Sequence, residues 1–318
     1  MLNKLLVLGG TGFVGRTLCE RLADRQGDGL VDLLVPSRNP ARAKYLQVLP
    51  TVRLPHADVH DEAQLTRLLQ GRDAVVNLVA ILHGSEAAFE RAHVALPRTL
   101  VRACAAAGVR RVVHISALGA ATDAPSRYLR SKAAGEAVLT GSGLDVTILR
   151  PSVIFGDHDR FLNLFAALQR PFPVMPLAGA DARFQPVWVG DVAAACMRCL
   201  DDPATIGKTY EVAGPEVFTL RQLVEAAGRW SGHPRPVLAL PAALGRLQAL
   251  ALECLPGEPM MSRDNLDSMR VDNVAGGHLP GLAALGLEPA TLASIAPDYL
   301  DPTLGQGRLD AWRRRHSV

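Results

Sequence analysis

The sequence lacks an excess of either charge. With 34 Lys and Arg against 31 Asp and Glu, the net charge over 318 residues is only +3. That excludes a nucleic-acid binder that relies on a strong basic field. The short run Arg313-Arg314-Arg315 does not restore such a field, and is expected to fray in solvent. Cysteine is also scarce: Cys19, Cys104, Cys196, Cys199 and Cys254 are scattered and odd in number. No disulfide framework follows from that pattern, so the expectation is a reducing, cytoplasmic compartment. No export signal is expected either, because glycines interrupt the apolar run of MLNKLLVLGG almost at once. No internal repeat stands out. Val237 to Leu255 is apolar but broken by Arg246, Gln248 and Glu253, and a membrane span needs about 20 predominantly apolar residues. As a helix this stretch would line an apolar pocket, lie on a bilayer surface, or simply be buried. Disorder is excluded by a composition that is 48% hydrophobic and 20% charged.

What is present begins at Lys4. Lys4 to Leu8 is a short apolar run of the kind a strand buried on both faces requires. Gly9, Gly10, Thr11, Gly12, Phe13, Val14 and Gly15 follow, and then a helical pattern with Leu18 and Leu22 on one face. Strand, glycine turn and helix make a dinucleotide-binding unit. The glycines allow the tight turn, let the backbone approach a pyrophosphate, and let the helix pack closely. The helix N-terminus offers N–H groups and a positive dipole end to the phosphates. A purely structural turn is the alternative. The spacing of Gly9, Gly12 and Gly15 resembles the extended and atypical branches of the short-chain dehydrogenase/reductase superfamily.

Past the second strand, Val31 to Val35, come Pro36, Ser37 and Arg38. A ribose 2′-hydroxyl is usually held by an acidic residue about 20 positions beyond the glycines. Asp32 sits too early on its strand for that role. A guanidinium beside a hydroxyl suits a 2′-phosphate instead. NADP(H) is therefore favoured, with NAD(H) left open and a solvated loop charge as the other reading of Arg38.

Strand-like and helix-like segments continue to alternate, which predicts an α/β fold: a Rossmann-type doubly wound parallel sheet with a smaller C-terminal substrate-side lobe. Expected strands are Val52–Leu54, Ala74–Val79, Arg111–Ile115, Val146–Leu149 and Thr209–Val212. Expected helices are Glu62–Gln70, Ala88–Ala107, Tyr128–Gly141, Asp191–Leu200 and Leu220–Ser231. Residues 1–150 form the expected nucleotide domain, with 187–213 returning to it and 151–318 mainly forming the C-terminal lobe. In the superfamily resembled, the places held here by Asp58-Val59 and Leu78-Val79-Ala80 contact the adenine and the cofactor, and Pro151-Ser152-Val153 would touch the carboxamide.

Tyr128 and Lys132 are four residues apart, on one helix face. An ammonium near a phenol lowers its pKa from about 10, which lets the phenol exchange a proton with a substrate. The superfamily also uses this lysine to hold the nicotinamide ribose. Two departures stand against a full catalytic set. The paired Ser/Thr expected after the fifth strand reads Ser116-Ala117, so Ser116 is the remaining hydroxyl. The relay Asn expected in the preceding helix reads Ala92-His93-Val94, where His93 is a relay substitute or, preferably, a satisfied helix histidine. His158 lies between Asp157 and Asp159, but no second cluster completes a ligand set, so no metal is assigned. Cys196 and Cys199 read as buried core thiols.

A narrower resemblance rests on Gly9–Gly15, Ser126 to Glu136, Pro151 to Gly156, Asp159 to Asn163 and Ser262 to Asp267. These stretches are similar to the atypical subgroup that contains the dehydrogenase-like accessory subunit of mitochondrial respiratory complex I (alpha subcomplex subunit nine) and its bacterial relatives. The resemblance implies bound NADP(H), a retained Tyr128 and Lys132, and an otherwise eroded catalytic set. It also implies peripheral contact with the inner face of a membrane or with a protein complex, and the apolar stretch Val237–Leu255 adds the expectation of an apolar, quinone- or lipid-like small molecule. An oxidoreductase is the first functional expectation. A non-catalytic nucleotide-holding protein is the second, and a nucleotide-sugar epimerase or dehydratase the third.

Overall fold

The computed structural model describes residues 2–25, 31–254 and 259–304. Arg313–Arg315 and Leu255 lie outside the described residues. The chain forms two compact units. The first takes Met1–Pro151, Gly190–Val212 and Gly276–Leu287, and the second takes Ser152–Val189, Ala213–Ala275 and Glu288–Val318.

The first unit is built on β1 (Lys4–Leu8), β2 (Asp32–Leu34), β3 (Val52–Arg53), β4 (Ala74–Asn77), β5 (Arg111–Ile115), β6 (Asp145–Pro151) and β7 (Thr209–Val212). Among the described residues these pair, all in parallel, in the order β7-β6-β5-β4-β1-β2-β3. The order reverses between β1 and β4, the point at which doubly wound sheets bind ligands beyond their strand ends. Burial explains the strand composition: every residue of β4 and β5 is buried, as a sheet covered on both faces demands.

Helices α1 (Phe13–Ala23), α2 (Glu62–Leu69), α3 (Glu86–Glu90), α4 (Leu96–Ala107) and α5 (Arg127–Thr140) connect the strands. Leu65 and Leu69 of α2, Leu100 and Ala103 of α4 and Leu139 of α5 pack with Leu6, Leu8, Val112 and Ile148 on one face. Strand side chains alternate, so Arg111 and Thr147 point to the other face. There Arg111 donates to the Thr147 hydroxyl at 2.8 Å and to the carbonyl of Cys199, on the helix Val189–Asp201. An ion pair of 2.6 Å from Arg25, just past α1, to Asp201 joins that helix to α1. Helices thus cover both faces. Cys196 and Cys199 are fully buried free thiols on this side, and burial pushes both up.

Local signals start and stop these helices. Asp61 accepts from the Gln64 N–H at 3.0 Å to open α2, and Ser126 accepts from the Leu129 N–H at 3.2 Å to open α5. Gly108 ends α4 with φ +74°, a conformation that costs other residues energy. The single helix expected over Ala88–Ala107 is instead interrupted by a π turn, Arg91–Ala95.

The second unit packs Phe155, Leu162, Phe184, Leu220, Leu223, Leu292 and Leu300 into its own core. Two-stranded pairings join Ile154–Phe155 with Val187–Trp188 and Met175–Ala178 with Val237–Leu240. The apolar stretch from Val237 is not one helix but this strand followed by the helix Ala242–Glu253. Only Gly245 and Ala249 of that helix are buried, while Leu244, Leu247 and Leu250 are 52%, 62% and 40% exposed. The plain buried helix is thereby overturned. Among the described residues, no helix is long and apolar enough to cross a membrane.

Candidate functional site

The glycine turn is held by close backbone approaches. Gly9 has φ +76°, and a Cβ there would lie 3.0 Å from the Leu78 carbonyl carbon and from the Val79 nitrogen. The turn therefore presses on the chain leaving β4. A Cβ on Gly15 would lie 2.4 Å from Gly10 Cα and 2.5 Å from the Gly9 oxygen, so only hydrogen fits where α1 crosses the turn. Gly12 is the N-cap of α1 and supplies no side-chain hydrogen bond, which leaves the first-turn N–H groups of Phe13 and Val14 directed at the turn. Tyr45 steadies Thr11 by donating to its carbonyl at 2.6 Å. This cradle, a glycine turn that opens directly into the N-terminus of a helix, suits a pyrophosphate, since the first-turn N–H groups have no intrahelical partner.

Beyond β2, Ser37 is built into the loop. Its N–H donates to Pro55 at 3.0 Å, and its hydroxyl accepts from the Asn39 N–H at 3.1 Å. Arg38 is exposed and no carboxylate pairs with it among the described residues. Asp32 has no free carboxylate for a ribose, being paired at 2.7 Å with both Arg53 and Arg72. The Asp58 carboxylate accepts from the His60 N–H at 3.0 Å and lies 3.8 Å from Arg91. Val59 and Val79 are partly buried and pack against the core cluster that contains Leu65. The Leu78 N–H donates to Leu8 at 2.9 Å, and Ala80 is exposed.

The Y-x-x-x-K pair opens α5. Lys132 is 1% exposed, and its ammonium donates to the Ile115 carbonyl at 2.7 Å. Burial pulls this lysine down to about 8, with Glu136 opposing. Burial pushes the Tyr128 phenol up to about 12. The expected lowering of the phenol by the lysine is thus reversed. The ring is packed 5.6 Å from the His93 ring and 6.2 Å from Phe89, and the lysine's hydrogen bond goes to a backbone carbonyl. Ser116 has a buried hydroxyl without a hydrogen-bond partner. Ala117 packs in a small apolar cluster with Ala124, Leu129 and Tyr128. The Pro151 carbonyl accepts from the Leu118 N–H at 2.9 Å.

Ser152 and Val153 belong to the second unit. There Asn273 Oδ1 accepts from the Ser152 hydroxyl at 2.6 Å and from the Val153 N–H at 2.8 Å. His158 is exposed, 3.4 Å from Asp157. Among the described residues, no group of three or more His, Cys, Asp or Glu is placed to hold a metal.

Four residues of this region were not anticipated. Asn77 donates through Nδ2 to Nδ1 of the buried His114 at 3.2 Å, and its Oδ1 accepts from the Val79 N–H at 3.2 Å. Glu136 takes a two-point grip from Arg150, at 2.9 and 2.5 Å. Polar residues inside the apolar runs 74–77 and 111–115, and a glutamate one turn past Lys132, are the signals that mark them.

Residues 9–203 match a family model described as NAD(P)H-binding. The chain is 31% identical over 307 residues to the mitochondrial NADH dehydrogenase [ubiquinone] 1 alpha subcomplex subunit 9 of Arabidopsis thaliana, covering 92% of this chain and 76% of that one. It is 30% identical over 229 residues to quinone oxidoreductase 2 of Escherichia coli, covering 72% and 74%. A crystal structure of the NADPH-dependent quinone oxidoreductase of Escherichia coli in complex with NADPH superposes with a TM-score of 0.74 at 25% identity, covering 93% of this chain and 99% of that one.

Proposed function

The chain belongs to the NAD(P)H-binding family, as an atypical short-chain dehydrogenase/reductase related to complex I accessory subunits and quinone oxidoreductases, and from that premise we propose that it binds NADP(H) and reduces an apolar, quinone-like acceptor. Gly9, Thr11, Gly12, Phe13, Val14 and Gly15 would hold the pyrophosphate, Ser37 and Arg38 the 2′-phosphate, Asp58 and Val59 the adenine, and Lys132 the nicotinamide ribose. Leu78, Val79, Ala80, Pro151, Ser152 and Val153 would complete the cofactor's surroundings. When bound, the reduced nicotinamide supplies two electrons as hydride; with one further proton this converts a quinone to a quinol.

The observation that carries the reading is the half-buried Tyr128 ring, packed against His93 and Phe89, where desolvation pushes the phenol up to about 12. At neutral pH it keeps its proton, as any phenol does, and can donate a hydrogen bond to an acceptor oxygen. Ser116, with its unpartnered buried hydroxyl, is the second donor available to that oxygen. An apolar acceptor is supported by the kinship with a quinone oxidoreductase. The exposed Leu244, Leu247 and Leu250 support contact with a membrane surface or a larger complex.

A second reading is favoured by Ala117: with an apolar cluster where a hydroxyl would polarise the substrate, the nucleotide is held rather than turned over, as part of an assembly. The test is to follow nicotinamide absorbance on adding quinones to protein loaded with NADPH. Oxidation that is lost in Tyr128→Phe supports the first reading. Tight retention of nucleotide without oxidation by any quinone or carbonyl compound replaces it with the second. Oxidation undiminished in Tyr128→Phe refutes the acid role.

A further inference from the structure

We infer that His93 is a positioning residue: its ring is the strut that ties the chain leaving β4 to the start of α5, and so fixes Tyr128 relative to the glycine turn. The inference deepens the reading above and rests on it only in that the nucleotide is taken to lie along this turn.

The strut can be followed proton by proton. The backbone N–H of Ile81 can only donate, and it donates to His93 Nε2 at 3.1 Å. Nε2 is therefore unprotonated, and the neutral ring carries its hydrogen on Nδ1. Nδ1 lies 2.8 Å from the Ser131 hydroxyl and so donates to it. That hydroxyl passes its own hydrogen to the Tyr128 carbonyl at 2.7 Å. One direction runs through the whole chain, from Ile81 to His93 to Ser131 to Tyr128, and both ring nitrogens are committed. The ring is 2% exposed and stands edge-on to the Tyr128 ring at 5.6 Å. Phe89 closes another side, also at 5.6 Å. His93 therefore holds the tyrosine twice, once through its backbone carbonyl and once through its ring.

The surroundings keep the ring neutral. Burial, aided by the Lys132 charge, pulls His93 down to about 3. A proton relay must change its protonation during turnover; a base with both nitrogens engaged and its charged form suppressed is suited to holding geometry. The π turn is what brings the ring here. Gly135 permits it, since a Cβ at 135 would lie 2.1 Å from the His93 carbonyl oxygen. α5 lies against the turn only because that position has no side chain. Asn77 acts in parallel on the same loop by holding the Val79 N–H. The loop so held is the one pressed against Gly9.

The test uses the full chain with His93→Leu, His93→Gln and Ser131→Ala. Amide hydrogen exchange at Ile81 is measured without nucleotide, and NADPH affinity is measured by titration. His93→Leu is expected to speed Ile81 exchange and to weaken NADPH binding by about tenfold, the scale of one buried hydrogen-bonded contact. His93→Gln, which keeps an acceptor and a donor, is expected to restore most of both. Ser131→Ala cuts only the second link, so it should leave Ile81 protected and weaken binding less. If His93→Leu does not fold, the Ile81 exchange rate in His93→Gln still decides. Unchanged Ile81 exchange in His93→Leu, or exchange in His93→Gln as fast as in an unprotected amide, overturns the strut. A native protein with no affinity for NADPH or NADH overturns the nucleotide reading instead, and the Ile81 exchange rates would still report on the strut.

Discussion

Lys132 offers a direct measure of what the candidate site costs the fold. Its ammonium is almost wholly buried, and its pKa falls from the ordinary 10.5 to about 8. At about 1.4 kcal/mol for each tenfold change in proton affinity, this corresponds to about 3 kcal/mol spent on keeping the lysine charged in the folded chain. Below pH 8 the lysine is charged in both states and the cost is full. Between pH 8 and 10.5 the folded lysine has lost its proton while the unfolded one keeps it, so the cost fades, and above 10.5 it is gone. In Lys132→Met the cost is absent at every pH, but the Ile115 carbonyl loses a donor, a penalty of about 1–3 kcal/mol. The two nearly cancel at pH 7, so the net stability there is a poor readout. The slope is the good one. Measured by urea unfolding, the stability of the native chain relative to Lys132→Met should rise by about 2–3 kcal/mol from pH 7 to pH 10. A difference that stays flat over that interval, or falls, refutes the claim that Lys132 is held as a desolvated cation. The sign matters for function, since natural folds retain a destabilising buried charge where a site requires it.

Gly15→Ala should lower the thermal midpoint through about 1–3 kcal/mol of overpacking and weaken NADPH binding at least tenfold, because the new Cβ has backbone 2.4 Å away; unchanged affinity in a titration would count against the cradle. Arg38→Ala should weaken NADPH at least tenfold by losing a charge-assisted phosphate contact and leave NADH nearly as it was, and equal losses for the two would remove the 2′-phosphate assignment. The triple variant Leu244→Ser, Leu247→Ser, Leu250→Ser should reduce co-sedimentation with phospholipid vesicles while leaving the thermal midpoint nearly unchanged, since all three leucines are exposed. Native protein that never sediments with vesicles would leave the complex-docking role as the one for that face.

The glycine turn was legible because it depends on what side chains must not do. Gly9, Gly12 and Gly15 leave a gap in the sequence wherever backbone crowds backbone, and the apolar run of β1 needs only its own composition to be read. The chemistry of Tyr128 was not legible. Spacing puts Tyr128 and Lys132 on one helix face, but the phenol's surroundings are Phe89 and His93, which lie some forty residues earlier, the histidine within a π turn. Such a turn adds a residue without changing the apolar character of its surroundings, so Ala88–Ala107 read as one continuous helix. Asn273 was invisible for another reason: it meets Val153 from 120 residues away. The segment Gly276–Leu287 joins the first unit through backbone, as when Pro280 accepts from the Glu211 N–H at 2.9 Å. A main-chain bond leaves no trace in residue type.

That last segment bears on how the molecule can be taken apart. The sheet's final strand, Thr209–Val212, and the strap that covers it come from pieces lying downstream of long excursions into the other unit. A fragment stopping at Pro151 would keep the entire glycine cradle, yet it would present β6 as a bare parallel edge, with nothing to take up its main-chain groups. Excision by one cut should therefore yield an aggregating fragment, whereas splicing the three pieces with short linkers preserves the ladder. Engineers seeking a minimal coenzyme-binding module from this chain would need to rewire its connectivity before they shorten it.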